Sequence, residues 1–193
     1  MDKAGITGVI LAGGLGRRMG GVDKGLQLLN GKPLVRHVAE RLAPQVGLLV
    51  INANRSLAEY AAFGYPVLAD QIPDFAGPLA GLHAALSASI TPLVVTAPCD
   101  SPFLPSDLVS RLHAGLSDSG ADIAIARADG RLHPVFCLCR KTLLPRLERY
   151  LKAGGRRVAE WCAAQGACEV DFDDQVAAFG NFNTLPELRE RED

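Results

Sequence analysis

Two methionines, one tryptophan and 6% aromatic residues make this chain of 193 residues poor in large rings, and other shortages narrow what it can do. No apolar run reaches the ~18–20 residues of a membrane helix, because each one ends early at Gly, Pro or a charge. Met1-Asp2-Lys3-Ala4-Gly5 lead straight into the apolar run Ile6–Leu11, whereas a signal peptide would need a longer apolar core and a small-residue cleavage site, so a cytoplasmic protein is expected. The five cysteines are odd in number and include no Cys-x-x-Cys pair, which excludes a disulfide framework. Cys137 and Cys139 share one face of a strand-like run. A metal there lacks a second Cys/His pair, so buried apolar thiols are the favoured reading. Excess charge is missing as well: 20 Lys and Arg against 21 Asp and Glu give a net −1. Bulk attraction to nucleic acid or an anionic membrane is thereby excluded, and any bound anion must be held locally.

What is there suffices for one globular domain. Apolar residues at 48% and charged ones at 21% exclude wholesale disorder. A chain of this length buries roughly 70% of its unfolded surface and needs no covalent staple. Repeats, low-complexity stretches and linkers are absent. Short apolar runs alternate with longer amphipathic ones, the pattern of an α/β fold with a mainly parallel sheet flanked by helices. Strands are expected at Ile6–Leu11, Gly47–Asn52, Pro66–Ala69 and Pro92–Ala97, with helices over Leu34–Val46, Ser56–Phe63, Pro78–Ala88 and Pro105–Leu116. The C-terminal part is less regular. It has strands at Asp122–Arg127, His133–Leu138 and Cys168–Phe172, a turn at Asp129-Gly130, helices over Thr142–Lys152 and Arg157–Gln165, and a last helix near Pro186.

In an open parallel sheet, ligands bind beyond the carboxyl ends of the strands. A Gly-rich loop, Asn52, Asp70 and Asp100 each follow a different expected strand, so four strands would bring them to one crest.

The loop from Gly13 to Lys24 holds five glycines, Arg17, Arg18 and Lys24. Glycines let backbone N–H groups turn toward a phosphate, and the cations add charge; a flexible turn with solvated charges is the plainer alternative. No Gly-Lys-Ser/Thr follows, so it is not a Walker A loop. Met19 replaces the third glycine of a dinucleotide fingerprint, which disfavours hydride transfer. Asp100, before Ser101-Pro102, suits either Mg²⁺ or a turn or helix cap. Asp70 and Asn52 suit either strand-end capping or a nucleobase edge, since a carboxylate accepts from guanine's ring N–H and amino group. Gly77-Pro78-Leu79-Ala80-Gly81 opens a helix, either as an anion site or as a plain turn. His37, His83 and His113 fall in helix patterns, and His133 precedes Pro134; no catalytic triad can be argued from spacing.

The run Leu11-Ala12-Gly13-Gly14, Arg17-Arg18-Met19-Gly20-Gly21 and Asp23-Lys24-Gly25 closely resembles the opening of the molybdenum cofactor guanylyltransferases, which are Rossmann-like nucleotidyltransferases. The likeness continues through Asn52-Ala53-Asn54-Arg55, Gly77–Gly81, Pro98-Cys99-Asp100-Ser101-Pro102, His133-Pro134-Val135 and Asn181-Phe182-Asn183-Thr184; Leu185 before Pro186 departs from the pattern. It spans nearly the whole chain and implies one Rossmann-like domain over 1–193, with a nucleotide-binding N-terminal half and an acceptor-binding C-terminal half.

The implied reaction moves GMP from GTP to the terminal phosphate of Mo-molybdopterin and releases pyrophosphate. Leu11, Ala12 and Gly13 would line the nucleotide, Lys24 would meet its phosphates, and Asn52 and Asp70 the guanosine. Asp100 would hold Mg²⁺ and nucleotide. Gly77, Pro78, Gly81, Asn181 and Asn183 would lie toward the pterin. Asp100, Lys24 and Arg18 would offset the charge of two anions, and no protein base is required because a phosphate monoester, second pKa ≈ 6, is already ionised. Molybdoenzyme or cofactor-insertion partners and a monomeric state are further expectations. Cytidine-specific relatives run Ala-Ala-Gly where this chain has Ala12-Gly13-Gly14, which favours guanine. A sugar-phosphate nucleotidyltransferase and a non-catalytic cofactor carrier are the remaining alternatives.

Overall fold

The structure, a computed structural model, describes residues 2–14, 22–72 and 77–180. The expectations for Arg17, Arg18, Asn181, Asn183 and the helix near Pro186 lie outside these residues. The strands are β1 (Ile6–Leu11), β2 (Leu28–Leu29), β3 (Lys32–Pro33), β4 (Leu48–Asn52), β5 (Val67–Leu68), β6 (Leu93–Pro98), β7 (Ile123–Ala128), β8 (Arg131–Arg140) and β9 (Cys168–Asp171). The α-helices are α1 (Leu34–Leu42), α2 (Leu57–Ala61), α3 (Pro78–Ala88), α4 (Leu108–Ser119), α5 (Leu144–Lys152) and α6 (Val158–Ala164).

Seven strands form one sheet in the order β5-β4-β1-β6-β8-β7-β9. The pairings β5/β4, β4/β1, β1/β6 and β7/β9 are parallel, whereas β8 runs antiparallel to both its neighbours. β1 and β6 are buried along nearly their whole length because both sheet faces are covered, and so they read as continuous apolar runs. On one face Ile6 and Ile10 pack with Val35, Val38 and Leu42 of α1, Tyr60 of α2, and Leu108, Leu112 and Leu116 of α4. On the other, Val9 and Val94 pack with Leu79, Leu82 and Leu86 of α3, Leu147 and Leu151 of α5, and Trp161 of α6.

Several boundaries differ from the sequence reading for local reasons. α1 stops at Leu42, because Pro44 converts the next turn into a 3₁₀ segment at Ala43–Gln45; Val46 still reaches the core. α4 begins at Leu108 rather than Pro105 and ends at Gly120, whose φ of 68° is the left-handed stop that glycine favours. The reading also missed the β2/β3 hairpin. Asn30 and Gly31, with φ of 51° and 71°, form its two-residue turn, and Asn-Gly is the commonest signal for one. β8 extends through Pro134 because the ladder to β7 slips there: Ile125 faces Cys137 while Ala126 faces His133. A proline is tolerated in such an irregularity because no ladder N–H is required of it.

The cysteines are free thiols, and Cys137 and Cys139 lie in the apolar core with Cys162. Among the described residues no group of three or more His, Cys, Asp or Glu is placed to hold a metal, and no helix is long and apolar enough to cross a membrane.

Candidate active site

Within the seven-stranded sheet the chain passes from β1 to β4 and β5 on one side and then returns to β6 on the other, so the strand order reverses at the β1/β6 junction. A crevice opens beyond the carboxyl ends of the strands at such a switch point. The ends of β1, β4 and β6 are tied together there: Ala12 N donates to Asn52 O at 2.8 Å, and Cys99 N donates to Leu11 O at 3.1 Å. Leu11 O and Ala12 N are therefore taken up by neighbouring strands.

Two groups of side chains stand on this crest. In the first, Asn52 closes β4 and is only 2% exposed. Its Nδ2 donates to Leu68 O at 3.1 Å and to Asp70 Oδ1 at 2.8 Å. Asn54 Nδ2 donates to Asp70 Oδ2 at 2.8 Å and to Gly13 O at 3.3 Å, and the Asp70 N–H returns a bond to Asn54 Oδ1 at 2.9 Å. Each Asp70 oxygen thus receives one amide proton and keeps acceptor capacity for another donor.

The glycines around this group are there for space. A Cβ on Gly13 would stand 2.9 Å from Asn54 Nδ2 and 3.1 Å from Asn52 Oδ1. One on Gly81 would stand 2.3 Å from Asn52 Oδ1 and 2.6 Å from Leu11 Cδ2. Gly81, expected toward the acceptor, therefore packs against Asn52 and Leu11. Gly77 and Pro78 are exposed at the start of α3, where Gly77 takes a φ of 67°.

In the second group Lys24 Nζ lies 3.3 Å from Asp100 Oδ2, with the side chains 23% and 13% exposed. Asp100 caps no helix, since the next one starts at Leu108. Its carboxylate faces a lysine from 76 residues away in sequence. Beneath it, burial first and then the neighbouring Asp100 push the Cys99 thiol well above its ordinary range, so Cys99 stays a neutral packing group.

The structure therefore brings Leu11, Gly13, Asn52, Asp70 and Gly81 together, and pairs Lys24 with Asp100. Sequence reasoning missed Asn54 as a site residue. The signal was available: two residues beyond Asn52 in an extended stretch, it falls on the same side of the chain.

Residues 8–167 match the family model described as the MobA-like NTP transferase domain. A molybdenum cofactor guanylyltransferase of Cupriavidus necator is 57% identical over 192 residues, covering 97% of this chain and 96% of that one. The crystal structure of molybdopterin-guanine dinucleotide biosynthesis protein A from Archaeoglobus fulgidus superposes with a TM-score of 0.77 at 26% identity, covering 96% of both chains. The 4-diphosphocytidyl-2C-methyl-D-erythritol synthase of Anaerococcus prevotii shares the fold at a TM-score of 0.73 and 11% identity, covering 99% of this chain and 98% of that one.

Proposed function

The chain belongs to the MobA-like NTP transferase family, and from this we propose that it transfers GMP from GTP to the terminal phosphate of Mo-molybdopterin, releasing pyrophosphate. The observation that carries the choice of base is Asp70, whose two oxygens are held by Asn52 and Asn54 at 2.8 Å each. A carboxylate fixed in this way offers two parallel acceptors. Guanine presents two adjacent donors, its ring N–H and amino group; cytosine presents one amino donor beside acceptors. The fold alone does not choose between them, because it is shared with a cytidylyl-type synthase.

Lys24 is the cation at the phosphates. In the free protein its charge is balanced by Asp100, and an incoming triphosphate competes for it. Asp100 is suited to Mg²⁺ as a hard carboxylate oxygen at the crest. Because no described cluster of three ligands surrounds it, substrate phosphates and water would complete the coordination. When bound there, Mg²⁺ supplies positive charge against the phosphates. The acceptor phosphate, second pKa ≈ 6, attacks the α-phosphorus as an anion and needs no protein base. The protein's task is alignment and charge compensation, to which Arg18 is assigned alongside Lys24 and Asp100.

In this reading the N-terminal half holds the nucleotide and the C-terminal half faces the pterin, with Gly77, Pro78, Gly81, Asn181 and Asn183 toward the pterin. The enzyme works as a cytoplasmic monomer and passes its product to molybdoenzymes or insertion partners. Pyrophosphate release with Mo-molybdopterin and Mg²⁺, compared for GTP, CTP and ATP, tests it. Release with GTP alone is expected. Release with CTP overturns the base assignment, and release with none of them, despite GTP binding, points to a carrier without chemistry.

A further inference from the structure

Lys24 sits in a short 3₁₀ turn, Lys24–Leu26, that Asp23 precedes as its N-terminal cap residue. An aspartate in that position commonly caps with its own side chain. This one makes no such bond, and its carboxylate faces the interior instead. Oδ1 accepts from the Tyr60 hydroxyl at 2.5 Å, and Oδ2 lies 3.6 Å from Arg55 Nε. Arg55 also donates from Nη2 to Val22 O at 3.0 Å, and Gln27 Nε2 donates to Asp23 O at 3.1 Å. The Asp23 side chain is 11% exposed, and Tyr60 is the fully buried residue of α2. Burial, with Cys99 and Asp23 beside it, pushes the phenol far above its ordinary value, so Tyr60 remains a proton donor. The residue after Lys24 is shaped by the same contact: a Cβ on Gly25 would stand 2.5 Å from the Tyr60 hydroxyl oxygen.

We propose that Tyr60 and Asp23 are positioning residues for Lys24: Tyr60, closed off from any ligand, fixes the Asp23 carboxylate, and Asp23 fixes the backbone from which Lys24 reaches Asp100. Gly25 is then the clearance that lets this turn lie over the ring. The inference rests on the role given to Lys24 in the proposed transfer. Small displacements of such a charge matter, since ~1 Å of misplacement can cost on the order of 100-fold in rate.

The test is a double-mutant cycle between Tyr60→Phe and Lys24→Ala, read in GMP transfer (kcat and KM for GTP) and in GTP affinity by calorimetry. Tyr60→Phe keeps the ring and removes the bond to Asp23. It is expected to lower kcat/KM about ten-fold in the native background, within the range that misplacement produces, and to add no further loss once Lys24 is alanine. Asp23→Asn, which retains an acceptor for the hydroxyl, is expected to lose less than Asp23→Ala; this pair decides the question if Tyr60→Phe does not fold. Equal losses from Tyr60→Phe in both backgrounds would assign it a purely structural role, and native kinetics in Tyr60→Phe would overturn the inference outright. Absence of transfer in the native protein would instead sink the transfer reading, and the calorimetric cycle would still decide whether Tyr60 acts through Lys24.

Discussion

Gly13→Ala puts one methyl group against the Asn52, Asn54 and Asp70 cluster, to which the proposed function assigns the base, and changes little else. Gly13 is not among the glycines of positive φ, so alanine brings no backbone strain there. The new carbon would lie 2.9 Å from Asn54 Nδ2, 3.1 Å from Asn52 Oδ1 and 3.7 Å from Asn54 Cγ. Ordinary contact begins near 3.5 Å, so Asn54 has to retreat by roughly half an ångström. It cannot do so freely, because the same nitrogen holds Asp70 Oδ2 at 2.8 Å. A hydrogen bond to a charged group contributes about 1.5–3 kcal/mol, and stretching this one gives up part of that, about 1 kcal/mol. At 1.4 kcal/mol per factor of ten, GTP affinity falls about five-fold. CTP, which does not need both Asp70 oxygens, loses less, and the GTP-to-CTP preference narrows. The assay is initial-rate pyrophosphate release with each nucleotide, together with calorimetric titration of GTP. Gly14→Ala is the control, since a methyl there meets nothing within 4 Å among the described residues. Unchanged GTP affinity and selectivity in Gly13→Ala, or equal effects from the two alanines, would refute the reasoning.

Asp100→Ala is expected to remove nearly all transfer while the circular dichroism spectrum stays native; substantial turnover in Mg²⁺ would end its assigned role. Gly81→Ala drives a methyl to 2.3 Å from Asn52 Oδ1 inside a buried helix, so overpacking of about 1–3 kcal/mol is expected. For a chain of this size that lowers Tm by roughly 2–4 °C per kcal/mol, and a native melting curve would show that α3 simply moves aside. In the native protein a thiol reagent is expected to reach at most Cys168, which is partly buried, because Cys99, Cys137, Cys139 and Cys162 are buried. Rapid titration of several thiols before unfolding would contradict that packing.

The central strands were legible because burial on both faces leaves little except apolar residues between their polar ends. Ile6–Leu11 was read to the residue, and Asn52, Asp70 and Asp100 were placed where their strands stop. The reversed direction of β8 was not legible, since a run such as Phe136-Cys137-Leu138-Cys139 carries no arrow. The Asn30-Gly31 hairpin was legible and went unread, because each of its strands has only two residues. Within the site, the pairing of Lys24 with Asp100 and of Asp23 with Tyr60 joins positions 76 and 37 residues apart. No local periodicity encodes such contacts. They exist only once Asp23 and Lys24 have been brought to Tyr60 of α2 and to Asp100 beyond the end of β6.

Under the proposed assignment of Asp70 to the base, its paired amides have an energetic consequence for selectivity. A carboxylate on a free side chain loses rotamer entropy when a ligand immobilises it, about 0.5–1.5 kcal/mol at an interface. Here Asn52 and Asn54 have already imposed that loss during folding, so an incoming base meets an acceptor pair that is oriented in advance. The same preorganisation works against the wrong base. A mobile carboxylate can swing to follow a single donor, whereas this one can turn only by breaking a bond to an asparagine. Discrimination then comes as much from the site's refusal to adapt as from the contacts it offers.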